Sequence, residues 1–215
     1  MELNFSHSAL LIVDMQNDFC PGGALEVKNG DTIIKNLNSL AYLFTARNGR
    51  VITTQDWHPE DHASFASSHE GKKPYDRIDL HGVKGQVLWP THCVQGSRGA
   101  DFHKDLDMKP VNFIIRKGFR NDLDSYSTFF ENDRRTSTGL DGILKSLSIN
   151  TIVIGGLATD YCVLYSAFDA AILGYKTIVI EDAVCGIDYP IGSIKKAFEI
   201  MGKAGAIIAS SGEIN

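Results

Sequence analysis

Six short apolar runs rich in β-branched residues recur along this chain: Ala9 to Val13, Arg50 to Thr54, Val111 to Ile115, Thr151 to Ile154, Thr177 to Ile180 and Ala206 to Ala209. Their near-continuous apolarity, without polar alternation, is what strands buried on both faces of a parallel sheet require. Helical patterns separate them. Ile33, Ile34, Leu37, Leu40 and Leu43 share one side of a run that Asp31 is expected to cap, which continues through Arg47 and stops at Asn48-Gly49. Leu140 to Leu147, Tyr161 to Leu173 and Ile191 to Lys203 read as three further helices. The alternation predicts an α/β fold, a doubly wound, mainly parallel six-stranded sheet with helices on both faces. A chain of 215 residues is most simply one domain, residues 1–215.

The stretch from Asp56 to Pro110 breaks the pattern and shows little helical or strand periodicity. A loop of that length inside a compact domain is usually functional or disordered. Both tryptophans and most of the histidines fall within it, which favours function. Net charge and targeting signals narrow the classes. A formal charge of −5 with no Lys/Arg run argues against a nucleic-acid surface. The N-terminal apolar run ends on Asp14, too short for a signal peptide, and no stretch is long enough to span a bilayer. Cys20, Cys93, Cys162 and Cys185 form no CxxC pair and fit free thiols in a reducing compartment, with the cytoplasm as the expected location.

Polar residues cluster where the runs end. Asp14, Asp56, Lys117 and the turn Ala158 to Cys162 each follow a predicted strand, as do Glu181 and Asp182. In an open α/β sheet such positions converge on one crevice. Thr159 and Asp160 are good helix N-caps, so Cys162 is expected in the first turn of a helix, where the dipole lowers a thiol pKa. An acid can take the thiol proton, and a nearby cation keeps both groups anionic. In the loop, Asp56 and His58 stand two residues apart, so extended backbone points both to one side. His92 can add a third ligand for a divalent metal such as Zn, Fe or Mn.

Taken in order, these segments resemble the nicotinamidases of the isochorismatase-like cysteine hydrolase superfamily along nearly the whole chain. The matching stretches are Leu11-Ile12-Val13-Asp14-Met15-Gln16-Asn17-Asp18-Phe19-Cys20-Pro21-Gly22-Gly23, Gln55-Asp56-Trp57-His58-Pro59 and His62-Ala63-Ser64-Phe65. Trp89-Pro90-Thr91-His92-Cys93-Val94-Gln95, Lys117-Gly118, Asp124-Ser125-Tyr126-Ser127 and Gly156-Leu157-Ala158-Thr159-Asp160-Tyr161-Cys162 complete the set.

The resemblance implies a catalytic triad of Asp14, Lys117 and Cys162. It implies one divalent metal on Asp56, His58 and His92, zinc first and iron or manganese as alternatives, with His62 an open question. Phe19 and Trp89 match residues that flank a pyridine ring, and Tyr126 matches a wall residue. A cis peptide would fall between Leu157 and Ala158 and aim the N–H of Ala158, alongside that of Cys162, at one oxyanion. Isochorismatases share the fold but lack the cysteine, so Cys162 favours amide chemistry. The implied activity is hydrolysis of nicotinamide to nicotinate and ammonia through a cysteine thioester, with pyrazinamide as a second substrate and NAD salvage as the setting. Another amide hydrolase of the superfamily, or a non-catalytic ligand-binding member, is the alternative. The implied partner is a small molecule, with neither nucleic acid nor membrane, and a homo-oligomer stays open.

Overall fold

The computed structural model describes residues 1–215. Each apolar run is a strand: β1 (Ser8–Val13), β2 (Arg50–Asp56), β5 (Phe113–Lys117), β6 (Thr151–Leu157), β7 (Lys176–Cys185) and β8 (Ile207–Ala209), while β3 (Arg77–Leu80) and β4 (Val83–Val87) lie between β2 and β5. The six form one sheet in the order β5-β2-β1-β6-β7-β8, and every neighbouring pair is parallel. The chain therefore winds outward from β1 in two directions. The carboxyl ends of β1 and β6 mark the switch point, where α/β sheets open a crevice.

Side-chain parity divides the core. Leu10 and Ile12 of β1 face one side, against Leu37, Leu40, Ala41 and Phe44 of helix α1 (Ile34–Ala46). Ala9, Leu11 and Val13 face the other, where α2 (Leu140–Ser146), α3 (Leu164–Ile172) and α4 (Ser193–Lys203) bring Leu144, Ala167, Ala170, Ala197 and Met201. Fully burying each Leu or Ile contributes about 1.5–3 kcal/mol, so the central strand is held from both faces. At the switch point Gly156 has φ +121°, and a Cβ there would lie 2.1 Å from the Val13 carbonyl oxygen. Glycine alone lets β6 approach β1 this closely.

Several boundaries differ from the sequence expectation. Strand β5 begins two residues later than predicted. It is the edge strand, and Phe113 and Ile114 are exposed. Strand β7 runs on to Cys185, so Glu181 and Asp182 sit within an exposed part of it rather than at the crevice. Asp182 instead accepts hydrogen bonds from Asn36 and Ser211. A 3-10 turn, Gly30–Ile33, precedes α1, so Asp31 does not cap that helix. Helix α4 starts at Ser193 and leaves Ile191 outside it, 95% exposed. The segment after β2 is ordered where no period was legible. It holds the β3–β4 hairpin and bridges that tie His58 to Val94 and Phe65 to Trp89.

No helix is long and apolar enough to cross a membrane.

Candidate active site

The first group grows from the ends of β1, β5 and β6. Asp14 leaves β1 with φ +48°, a left-handed conformation that turns its carboxylate inward. Thr54 of β2 fixes it there: its Oγ1 accepts from the Asp14 N–H at 3.1 Å and donates to Asp14 Oδ1 at 2.6 Å. The last residue of β5, Lys117, is fully buried. Its Nζ lies 2.8 Å from Asp14 Oδ2, donates to the Ser125 carbonyl at 3.0 Å and reaches Cys162 Sγ at 3.4 Å. Carboxylate oxygens of Asp14 and Asp56 and the Cys162 sulfur all lie within 4.8 Å of one another. The acid, cation and thiol expected to meet do meet.

The turn that carries Cys162 is not capped as expected. Thr159–Val163 forms a π-turn whose preceding residue is Ala158, and no side chain caps it. The Asp160 carboxylate points away, toward the chain after β7. Leu157–Ala158 is a cis peptide, and the Ala158 N–H donates to no protein acceptor.

Burial opposes any lowering of the thiol by the helix dipole. Desolvation first, then the negative charges of Asp14 and Asp56, push Cys162 well above the ordinary thiol range, against the pull of Lys117. This reverses the lowering expected from sequence. Desolvation also raises Asp14, with Lys117 opposing and Asp56 reinforcing the shift. Lys117 is itself held up, since its two carboxylates and the sulfur overcome the desolvation of its charge. Burial thus favours the protonated form at both Cys162 and Asp14.

The second group shares Asp56. Chain pairing builds it: His58 N–H donates to the Cys93 carbonyl at 3.0 Å, and Gln95 N–H donates to the His58 carbonyl at 2.8 Å. That pairing brings His92 to His58 across more than thirty residues of chain. Asp56, on β2, is anchored by Gln16, whose side-chain amide exchanges two 2.8 Å hydrogen bonds with its backbone. His58 Nδ1 donates to the Gly118 carbonyl at 2.8 Å and His92 Nδ1 to the Pro90 carbonyl at 2.7 Å. A carbonyl only accepts, so both rings carry their proton on Nδ1 and offer an Nε2 lone pair. Those Nε2 atoms lie 3.5 and 3.9 Å from Asp56 Oδ2. Gly118, with φ +63°, leaves room for the His58 ring, which a Cβ would approach to 2.4 Å.

His58 Nε2 is buried and has no hydrogen-bond partner. An orphaned lone pair facing a second imidazole and a carboxylate fits a divalent cation of the Zn, Fe or Mn type. The buried His62 ring stands 4.4 Å from that of His58, and its Nε2 is likewise unpartnered. His62 groups with His58 and Asp124 rather than with Asp56 and His92.

Cys162 of the first group and Asp56 and His92 of the second open on one cavity. Phe19, Trp89 and Tyr126 line it as expected, together with Ala158, Cys162 and His92. Trp89 Nε1 and Gln86 Nε2 each donate to the Tyr126 hydroxyl at 3.0 Å, which locks the aromatic wall. Sequence reasoning did not single out Tyr161, Asp124, Leu25 or Ile187, which also face this space. Tyr161 packs edge-on against Trp89 at 4.9 Å. Its position next to Cys162 was the available signal. Asp18 was also missed: its carboxylate accepts from the Cys93 N–H at 2.7 Å and the Ala24 N–H at 3.2 Å, pinning the Phe19 loop to the His92 turn.

The chain is similar to known proteins over nearly its whole length. A nicotinamidase of Acinetobacter baylyi is 48% identical over 210 residues, 97% of this chain and 95% of that protein. The solved structure of a nicotinamidase and pyrazinamidase from Acinetobacter baumanii superposes with a TM-score of 0.92 at 48% identity, covering 97% of this chain and 98% of its own. A pyrazinamidase of Pyrococcus horikoshii, solved in complex with zinc, superposes at 0.77 with 35% identity, covering 95% and 99%. The Isochorismatase domain family matches residues 8–213. With that match spanning almost every residue and these relatives alike over nearly their full length, the chain belongs to the isochorismatase family of hydrolases, in its nicotinamidase branch.

Proposed function

We propose that this protein hydrolyses nicotinamide to nicotinate and ammonia through a thioester on Cys162. The observation that carries the reading is the convergence of Asp14 and Lys117 on Cys162, which lines an aromatic cavity. The likeness to the Acinetobacter nicotinamidases supports nicotinamide as the substrate. Pyrazinamide, a planar amide of similar size, is the second substrate, and salvage of NAD precursors is the setting.

A planar ring lying between Phe19 and Trp89, with Tyr126 at the wall, would hold the carboxamide over the sulfur; these side chains and Cys162 line the same cavity. Positioning of this kind can supply several kcal/mol toward the barrier. Asp14 takes the proton from the Cys162 thiol as the sulfur attacks the amide carbon. The raised proton affinity of Asp14 suits it to that transfer. The developing oxyanion accepts from the Ala158 and Cys162 N–H groups, each worth about 3 kcal/mol. The carbon–nitrogen bond then breaks, and Asp14 passes its proton to the departing ammonia. Water attacks the thioester, loses a proton to Asp14 and releases nicotinate. That proton returns to the sulfur. Lys117 stays protonated throughout and balances the anionic stages.

Asp56, His58 and His92 would hold a divalent metal, zinc by analogy with the Pyrococcus pyrazinamidase, with His62 as a neighbouring donor. When bound, such a metal would supply a Lewis acid beside the aromatic cavity.

Incubation with nicotinamide and pyrazinamide, with ammonia measured, tests the activity and separates an enzyme from a non-catalytic binder. Intact-mass detection of a nicotinoyl group on Cys162 tests the route. Full turnover by Cys162→Ala would end the thioester proposal.

A further inference from the structure

A strap of chain, residues 186–192, follows β7 and leads into α4, and it has neither helix nor strand of its own. It contributes Ile187 to the cavity. Its anchorage comes from the cysteine turn. Asp160, two residues before Cys162 and 5% exposed, accepts from the Ile187 N–H at 3.0 Å, the Asp188 N–H at 2.9 Å and Ser193 Oγ at 2.6 Å. Every donor to this carboxylate belongs to the strap or to the first residue of α4, whose N-terminal end favours an anion. Tyr161 adds a hydrogen bond from its hydroxyl to the Tyr189 carbonyl at 2.8 Å. Asp188 closes the strap on itself by accepting from Gly192 and Ile194. Gly186 fits tightly here, since a Cβ would lie 2.9 Å from Asp160 Oδ1 and 2.6 Å from Ile194 Cγ1.

A buried carboxylate is costly unless its hydrogen bonds are met, and this one serves neither the proton transfer nor the metal donors. We propose that Asp160 is a positioning residue that ties the cavity wall at Ile187 to the nucleophile turn and thereby sets how tightly the amide is held. This rests on the nicotinamide reading above. The side chain acts through the strap and makes no contact with Asp14 or Lys117, so its loss weakens substrate binding more than the chemical step.

Asp160→Asn is the direct test. Whichever way the new amide turns, its N–H meets a backbone donor, at Ile187 or at Asp188. Hydrogen exchange at those two amides, measured without substrate, should accelerate. The KM for nicotinamide should rise about ten-fold, as befits loss of a buried hydrogen bond to a charged group. The kcat should stay within about two-fold, because binding and not the transition state is affected. Ser193→Ala removes one donor, leaves the cavity untouched and should move KM the same way by less. It carries the test if Asp160→Asn does not fold. A fall in kcat at constant KM, or faster exchange with KM unchanged, overturns the proposal. A wild-type protein that releases no ammonia defeats the nicotinamide reading alone, whereas unchanged exchange in Asp160→Asn defeats this one alone.

Discussion

Lys117 Nζ lies 2.5 Å from Asp56 Oδ1, so one buried ammonium joins the metal-donor carboxylate to the cysteine cluster. The same nitrogen is 2.8 Å from Asp14 Oδ2. Asp56 thus divides its two oxygens, one toward the lysine and one toward His58 and His92. Against desolvation, the pull of Lys117 holds Asp56 well below the usual carboxylate range. The two halves of the site are electrostatically one unit.

Replacing Lys117 with Met should therefore damage both halves. Two buried carboxylates would face each other without a cation, at a cost of about 3–5 kcal/mol in unfolding free energy. Ammonia release should fall about a thousandfold, the scale of losing a charged group from acid–base catalysis. Denaturant unfolding and a turnover assay check the two effects separately.

Metal loading should stabilise the fold, because the Nε2 of His58 is buried with no partner. Zinc at a hundred times its dissociation constant should add about 2.7 kcal/mol by mass action. The melting temperature of chelator-stripped protein should rise on adding zinc, and His92→Ala should abolish that rise. An unchanged melting temperature on loading would sink the assignment of these donors.

Gly156→Ala should be among the most damaging small substitutions. The added methyl meets the Val13 carbonyl oxygen at 2.1 Å, and φ of +121° is strained for any residue with a Cβ. A loss of more than about 3 kcal/mol is expected, read as a shift in denaturant midpoint. Gly142→Ala, which meets nothing, is the control.

Glu131 gives stability a pH dependence of defined sign. Burial, only partly offset by Arg120 at 3.1 Å, raises its carboxyl from an ordinary 4.5 to about 7. Between those values the folded state holds a proton that the unfolded chain has released. Its contribution is full below about 4.5, falls as pH rises toward 7 and is flat above. Glu131→Gln should flatten this part of the profile, measured as the difference in unfolding free energy between variant and wild type from pH 4.5 to 7.5. Identical profiles would show that Glu131 titrates normally.

Cys162→Ala should remove turnover while leaving the fold intact, since a methyl replaces a small buried thiol. Loss of at least about 10³-fold in ammonia release is expected for a covalent nucleophile. Nicotinamide affinity, measured by calorimetry, should stay within a few-fold because the aromatic wall is unchanged.

The linear order of residues already contained the sheet. Its buried strands announce themselves because a parallel strand covered on both faces must be apolar throughout, and strand ends place Asp14, Asp56, Lys117 and Cys162 on one edge in any doubly wound arrangement. The matching motifs added Phe19, Trp89, Tyr126 and His92, which the cavity brings together. Long-range geometry supplied the rest. The β3–β4 hairpin has too few residues and too irregular a pattern to stand out, and the pairing of His58 with Val94 depends on backbone hydrogen bonds that no side-chain period encodes. The thiol's protonation also lay beyond any local reading. Its cap and dipole suggested a lowered pKa, but the desolvation that raises it comes from elements far apart in the chain closing around one sulfur. For the same reason Asp160 looked like a helix cap until the strap beyond β7 folded back and took its hydrogen bonds.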